Sequence, residues 1–176
     1  MPHSLKQTKG FTLIEIMVVM AVISLLSSIV LVSVKTARMN ARNAKVRSDV
    51  HQIITALFLA REDDPNGKFP GDQTKWQCLK PSGGCYGTYV GNTTITDALA
   101  PYLPEIPKPP DPSNPFIKDA YLYHPNFTGW IDTSPPGAYI IWVKEGSPIT
   151  DCQGYNKGKY DNKLDFYYCY QLIAPL

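Results

Sequence analysis

The longest uninterrupted pattern in the chain is an apolar run from Phe11 to Val34, 24 residues in which Glu15 is the only charge. A helix rises about 1.5 Å per residue, so this run would be about 36 Å long. That is enough to cross a hydrocarbon layer about 30 Å thick. From Lys35 the pattern changes. Val46, Val50, Ile53, Ile54 and Leu57 recur at spacings of three and four, while Lys35, Arg38, Arg42, Lys45 and Arg47 occupy other positions. This is an amphipathic helix whose apolar stripe needs a partner. Asp63-Asp64-Pro65-Asn66-Gly67 supplies a stop and a turn. No Pro lies between Pro2 and Pro65, and no Gly between Gly10 and Gly67. The pattern therefore predicts one helix, about 80 Å long if continuous.

Beyond residue 64 the pattern shortens and turns aromatic: 18 of the 20 aromatic residues lie there. Three runs read as strands: Ala120 to His124, Ala138 to Val143 and Asp165 to Ile173. A short helix is expected around Thr96 to Leu103. The proline-rich stretch Pro104 to Pro112 cannot sit inside a helix or a central strand and predicts a stiff extended crossover. Residues 65–176 are 112 in number, enough for their own core. A small antiparallel sheet packed on residues 46–60 would bury both apolar surfaces, giving an α+β architecture. The organisation is then a leader at 1–10, a transmembrane half-helix at 11–34, an amphipathic half-helix at 35–64 and a globular head at 65–176.

Composition narrows the function. With 17 basic and 15 acidic residues and 44% hydrophobic content, the chain is neither disordered nor a strongly basic nucleic-acid binder. The run at 11–34 is too long for a cleaved secretory signal, whose apolar region is about 7–15 residues. The processing-like junction, Lys9-Gly10-Phe11, precedes the run instead of following it. Catalytic constellations are not visible. His3 lies in the leader, His51 on the helix and His124 before Pro125, and no nucleophile triad or phosphate loop is present. No enzymatic activity, catalytic residue or cofactor is expected.

Cys78, Cys85, Cys152 and Cys169 form an even set in the head, and four cysteines allow three pairings. Proximity favours Cys78 with Cys85 and Cys152 with Cys169. Spacings of six and sixteen residues do not resemble paired zinc ligands, and free thiols are the other alternative. Disulfides would place the head in an oxidising, exported compartment. Asp151, Asn156, Asp161, Asn162 and Asp165 crowd one loop. Oxygen-rich loops can bind calcium, but this spacing fits no defined ligand loop. Turn formation and solvation account for these residues, and no metal is expected. Asn92-Thr93-Thr94 and Asn126-Phe127-Thr128 fit the glycosylation pattern, a pattern that chance also produces.

A carboxylate inside a membrane span is costly. One isolated helix offers Glu15 no evident partner, so the residue points to an assembly of parallel helices. Cut before Phe11, the chain would carry Glu15 about one turn from a new amino terminus. The α-amino group of a neighbouring copy, with a pKa of about 8, could then pair with it. Snorkelling to the interface is the plainer alternative. Ala21, Ser24 and Ser28 form a small-residue stripe suited to close helix contacts, although chance also produces such a stripe.

The segment Lys9-Gly10-Phe11-Thr12-Leu13-Ile14-Glu15, followed by Ile16-Met17-Val18-Val19, resembles the class III signal of type IV pilins and type II secretion pseudopilins. The resemblance implies cleavage between Gly10 and Phe11 by a prepilin peptidase and methylation of the new N-terminal Phe11. It implies that Glu15 registers incoming subunits in a helical filament. Asn40 to Ile53, with Pro65-Asn66-Gly67-Lys68-Phe69-Pro70, also resembles the helix-to-head junction of pseudopilin G-like proteins, whose relatives in some cases hold calcium near the C-terminus. The resemblance covers roughly the first 70 residues; the head matches a pilin-like layout only in outline. Many family members carry Gly or Pro within the span, and this chain carries neither, so no melting of the helix is carried over.

On this reading the chain is a structural subunit of a type IV pilus or a secretion pseudopilus. Its partners are copies of itself and related pilins, the prepilin peptidase, inner-membrane assembly machinery and membrane lipid. It would be a single-pass protein of the cytoplasmic membrane with the head outside, and then part of an extracytoplasmic filament. Lys6 and Lys9 precede the span and five basic residues follow it, a count that by itself favours the opposite orientation. The cytoplasmic peptidase and the cysteines argue for an exported head. Removing residues 1–10 leaves 15 basic against 15 acidic residues. The alternative reading is a monomeric membrane-anchored binding module, an adhesin or substrate receptor.

Overall fold

The computed structural model describes residues 10–110, 119–128, 135–145, 158–161 and 166–175. Their backbone resolves into two compact units that meet in sequence at Arg38 and Met39. The first contains the apolar part of helix α1 (Leu13–Glu62), a single 50-residue element with no Gly or Pro to break it. Its end falls where the sequence predicts. Asp64 Oδ1 accepts from the backbone N–H groups of Asn66 and Lys68 at 2.9 and 3.1 Å, closing the turn, and Gly67 takes a positive φ of 61°.

The second unit is built on a five-stranded antiparallel sheet. Its strands are β1 (Gln77–Cys78), β4 (Leu122–Phe127), β5 (Gly137–Glu145), β6 (Gly158–Asp161) and β7 (Phe166–Pro175), in the order β1-β4-β5-β7-β6. A separate hairpin joins β2 (Gly84–Tyr86) to β3 (Tyr89–Val90). The long strands lie where β-branched and aromatic residues concentrate. The protein is thus α+β, with a long N-terminal apolar helix and a small antiparallel sheet.

The sheet has an apolar layer on each face. On one side Val46, Val50, Ile53, Ala56, Leu57 and Ala60 of α1 pack with Leu79, Tyr121, Tyr123, Ile140, Trp142 and Ile173. Ile53 and Leu57 are fully buried, as the three-and-four spacing predicts, and Ile54 is partly buried at the margin. On the other side Trp76, Cys78, Cys85, Leu122, Phe127 and Tyr139 form a second layer, with Tyr86 and Tyr89 of the hairpin against it. The Cys78–Cys85 disulfide ties the hairpin to β1. By loop-closure entropy it contributes about 2–3 kcal/mol.

Several elements depart from the sequence reading, each for a local reason. The short helix is α2 (Thr93–Leu99) and starts three residues early, because the side chain of Asn92 caps it by accepting from Thr94 N–H at 2.9 Å. Asn92 is therefore a cap in a glycosylation-like pattern. The first predicted strand runs Leu122–Phe127, through Pro125. The ladder to β5 shifts register between His124 and Phe127, and β1 pairs only with Leu122 and Tyr123, so no sheet bond is lost to the missing N–H. The last strand runs Phe166–Pro175, and Asp165 lies outside the described residues. Of the proline-rich stretch, residues 104–110 are neither helix nor strand, as predicted.

One clamp fixes α1 to the end of β5. The Asn43 amide donates to the Glu145 carbonyl at 2.9 Å and accepts from the Glu145 N–H at 3.1 Å. It thereby satisfies both backbone groups as a neighbouring strand would. Arg42 forms a two-point ion pair with the Glu145 carboxylate.

Candidate functional site

The start of α1 is where the unusual chemistry lies. Gly10, Phe11 and Thr12 precede the helix, and Phe11 is 82% exposed. Thr12 is the N-cap and Glu15 the third helical residue. Thr12 N–H and Oγ1 donate to Glu15 Oε2 at 2.8 and 2.7 Å, and Glu15 N–H donates back to Thr12 Oγ1 at 3.3 Å. This is a reciprocal capping box, and the acidic group also suits the positive end of the helix dipole. It corrects the view that an isolated helix offers Glu15 no partner. Both Thr12 donors converge on one oxygen; Oε1 accepts no hydrogen bond among the described residues.

Among the described residues nothing requires Gly10 to be glycine. Its φ lies outside the left-handed region, and an added Cβ would meet nothing within 4 Å.

The apolar part of α1 is bare. Its described apolar side chains face outward. Residues such as Leu13, Ile14, Met17, Leu25 and Leu26 are exposed by 59–74%. On an isolated molecule in water this surface would be untenable; in lipid it is the expected one. The hydroxyls of the small-residue stripe are satisfied within the helix, Ser24 donating to the Met20 carbonyl and Ser28 to the Leu25 carbonyl, both at 2.8 Å. With Ala21 they leave a low-profile strip that makes no polar demand on its surroundings.

Of the five basic residues after the span, two are neutralised: Arg42 by Glu145 of the head, and Lys45 by the buried Asp49 one turn further along α1, at 2.6 Å. Asp49 also accepts from the Tyr121 hydroxyl at 2.9 Å. Burial and the adjacent carboxylate push the Tyr121 hydroxyl well above its ordinary pKa. Lys35, Arg38 and Arg47 are exposed and in no ion pair among the described residues.

The head's polar groups serve its own architecture. His124 is buried, edge-on to Trp76 at 5.2 Å and to Phe127 at 5.3 Å, and its Nδ1 accepts from Asn126 N–H at 3.1 Å. Burial lowers its pKa, partly offset by the charge of Asp72. It stands within a strand. Buried Gln77 accepts from Asp72 N–H and Asn92 Nδ2 at 3.0 and 2.8 Å and donates to the Asp72 carbonyl at 2.9 Å. It thus binds a loop to the cap of α2. His51 is exposed on α1.

Cys78 and Cys85 are joined, and Cys169 is also disulfide-bonded. Cys152 lies outside the described residues, as do Asp151, Asn156, Asn162 and Asp165; Asp161 ends β6. Among the described residues no three His, Cys, Asp or Glu side chains are grouped to hold a metal.

The structure thus brings Gly10, Phe11 and Glu15 into one exposed helix start and places the disulfides in the head. Sequence reasoning missed the partner of Glu15, although Thr-x-x-Glu before an apolar run is itself a capping-box signal. It also missed the Asn43 clamp, which no periodicity announces. The family model for the prokaryotic N-terminal methylation motif matches residues 5–31. This is the signal of type IV pilins and pseudopilins, and it covers the junction, the capping box and most of the apolar run. No curated protein and no solved structure matches the chain.

Proposed function

We propose that the chain is a filament-building subunit: a precursor held in the cytoplasmic membrane by residues 11–34, trimmed between Gly10 and Phe11 by a prepilin peptidase, methylated on Phe11 and packed through α1 into a pilus or secretion pseudopilus. The methylation signal at residues 5–31 carries the reading. The structure supplies three supports. A glycine whose added Cβ would meet nothing among the described residues sits at the junction. An apolar helix whose described side chains are exposed follows. A carboxylate there has one oxygen held by Thr12 and the other open to a second molecule.

The capping box gives the subunit two stable settings. Before assembly, Thr12 shields one Glu15 oxygen and lowers the cost of holding the carboxylate in the membrane. In the filament, the α-amino group of a neighbouring copy meets the open oxygen. An ion pair in a low-dielectric medium is strong only when both charges are well placed, so the pair selects axial register as well as association. The head lies outside the membrane, where its disulfides persist. The chain acts as a structural component and not as an enzyme, and the force for assembly comes from separate inner-membrane machinery.

Cysteine cross-linking in cells separates this reading from a monomeric anchored receptor. Pairs of single cysteines introduced along the apolar half of α1, at Val18 and Ile23 for example, should yield ladders of cross-linked copies. A chain that stays a monomer at every position, in cells with the peptidase and assembly machinery, contradicts the proposal.

A further inference from the structure

The helix-facing side of the sheet holds two polar atoms that nothing yet described explains. Tyr123 is 0% exposed, and its hydroxyl has no hydrogen-bond partner among the described residues. Burial alone drives its pKa well above the ordinary value. The Oε1 of Gln171 is buried and equally without a partner. The register places them together: Tyr123 lies opposite Ile140 on β5, and Ile140 lies opposite Gln171 on β7. Directly opposed residues project from the same face, and Tyr123 and Ile140 both belong to the core layer beneath α1. The three form one row, its outer members two strand spacings, or about 10 Å, apart at Cα.

The two orphans are chemically complementary. A tyrosine hydroxyl donates one hydrogen bond, and a glutamine Oε1 only accepts. They make no direct bond, and Ile140 stands between their strands. The neighbouring tyrosine sharpens the contrast. Tyr121 is equally buried in the same layer, yet its hydroxyl reaches Asp49. Leaving a hydroxyl dry and unpaired in a packed core is among the costlier defects a fold can carry, and buried polar atoms in native proteins almost always find a partner, often an internal water.

We infer that Tyr123 and Gln171 hold one ordered internal water above Ile140, accepting from the Tyr123 hydroxyl and donating to Gln171 Oε1. A single water joins polar atoms about 5 Å apart. The site therefore requires the two longer side chains to lean toward each other over the shorter Ile140. The water would fasten β4 to β7 across the intervening β5, beneath the part of the head that packs on α1.

The test is a double-mutant cycle on the full chain in detergent micelles, unfolded with denaturant and followed by tryptophan fluorescence. Tyr123→Phe and Gln171→Leu should each raise the unfolding equilibrium constant at least about 5-fold, the factor equivalent to about one hydrogen bond. The double variant should be no worse than the weaker single. A Tyr123→Phe protein as stable as the original, or losses that multiply in the double variant, would overturn the inference. If Gln171→Leu fails to fold, a crystal structure of the unmodified chain decides. Water density within hydrogen-bond distance of both atoms supports the site. A protein side chain in that place, or a direct Tyr123–Gln171 bond, refutes it.

Discussion

Replacing Glu15 with Val leaves a protein that inserts into the membrane at least as well as the original and enters no filament. On insertion scales an acidic residue in the span is unfavourable by up to about 3 kcal/mol, whereas Val is slightly favourable. Insertion therefore cannot be what Glu15 is for. Assembly is the step that loses its registering ion pair, and because each subunit meets many neighbours the defect compounds along the polymer. The expected result is loss of sedimentable filaments to below about one part in ten, with membrane-associated subunit undiminished. A tenfold factor in the equilibrium for adding one subunit corresponds to about 1.4 kcal/mol. Thr12→Val isolates the capping box: it removes the Oγ1 donor at 2.7 Å but keeps the backbone donor at 2.8 Å. Its effect should be milder, a reduced yield of filament with normal subunit structure. A Glu15→Val chain that assembles normally would show that the carboxylate serves only the local helix cap.

Ile53→Ala should destabilise the head by about 2–5 kcal/mol, the range for deleting a fully buried aliphatic side chain that leaves a cavity. Ile53 is 0% exposed in the layer between α1 and the sheet. Leu59→Ala is the matched control on the same helix. Leu59 is 41% exposed, so its loss should fall within about 0.5 kcal/mol of no change. Denaturant unfolding of the detergent-solubilised chain, read from tryptophan fluorescence, measures both. Total stabilities of single domains are only about 5–15 kcal/mol. The Ile53 variant should therefore also accumulate poorly and be trimmed by proteases. Equal effects at the two positions would mean that the second half of α1 does not depend on the stripe described above.

These two residues also show what the sequence made legible. Glu15 stands out because one charge in 24 apolar positions demands a chemical reason. Ile53 stands out because a spacing of three and four, sustained from Val46 to Leu57 without Gly or Pro, has one helical reading. The helix end at Glu62 was legible for the same kind of reason: Asp-Asp-Pro-Asn-Gly is local turn chemistry, and the observed bonds from Asp64 are local. What escaped was set by tertiary contact. Strand β1 is two residues long and exists because β4 and the Cys78–Cys85 bond hold it. The expected strand stopped at His124, yet β4 passes through Pro125, where the ladder is already irregular. The hairpin at 84–90 had a signal that went unused: Gly87, at φ 51°, begins its two-residue turn between Tyr86 and Tyr89. The partner of Glu15 lies only three residues away, in a Thr-x-x-Glu pattern that is itself local.

The most direct measurement is intact and N-terminal-peptide mass spectrometry of the protein recovered from cells that contain an active prepilin peptidase. The account predicts a chain that begins at Phe11, with residues 1–10 gone and a single methyl group on the Phe11 nitrogen. A chain still starting at Met1, or one cut after the apolar run with the span lost, would contradict it.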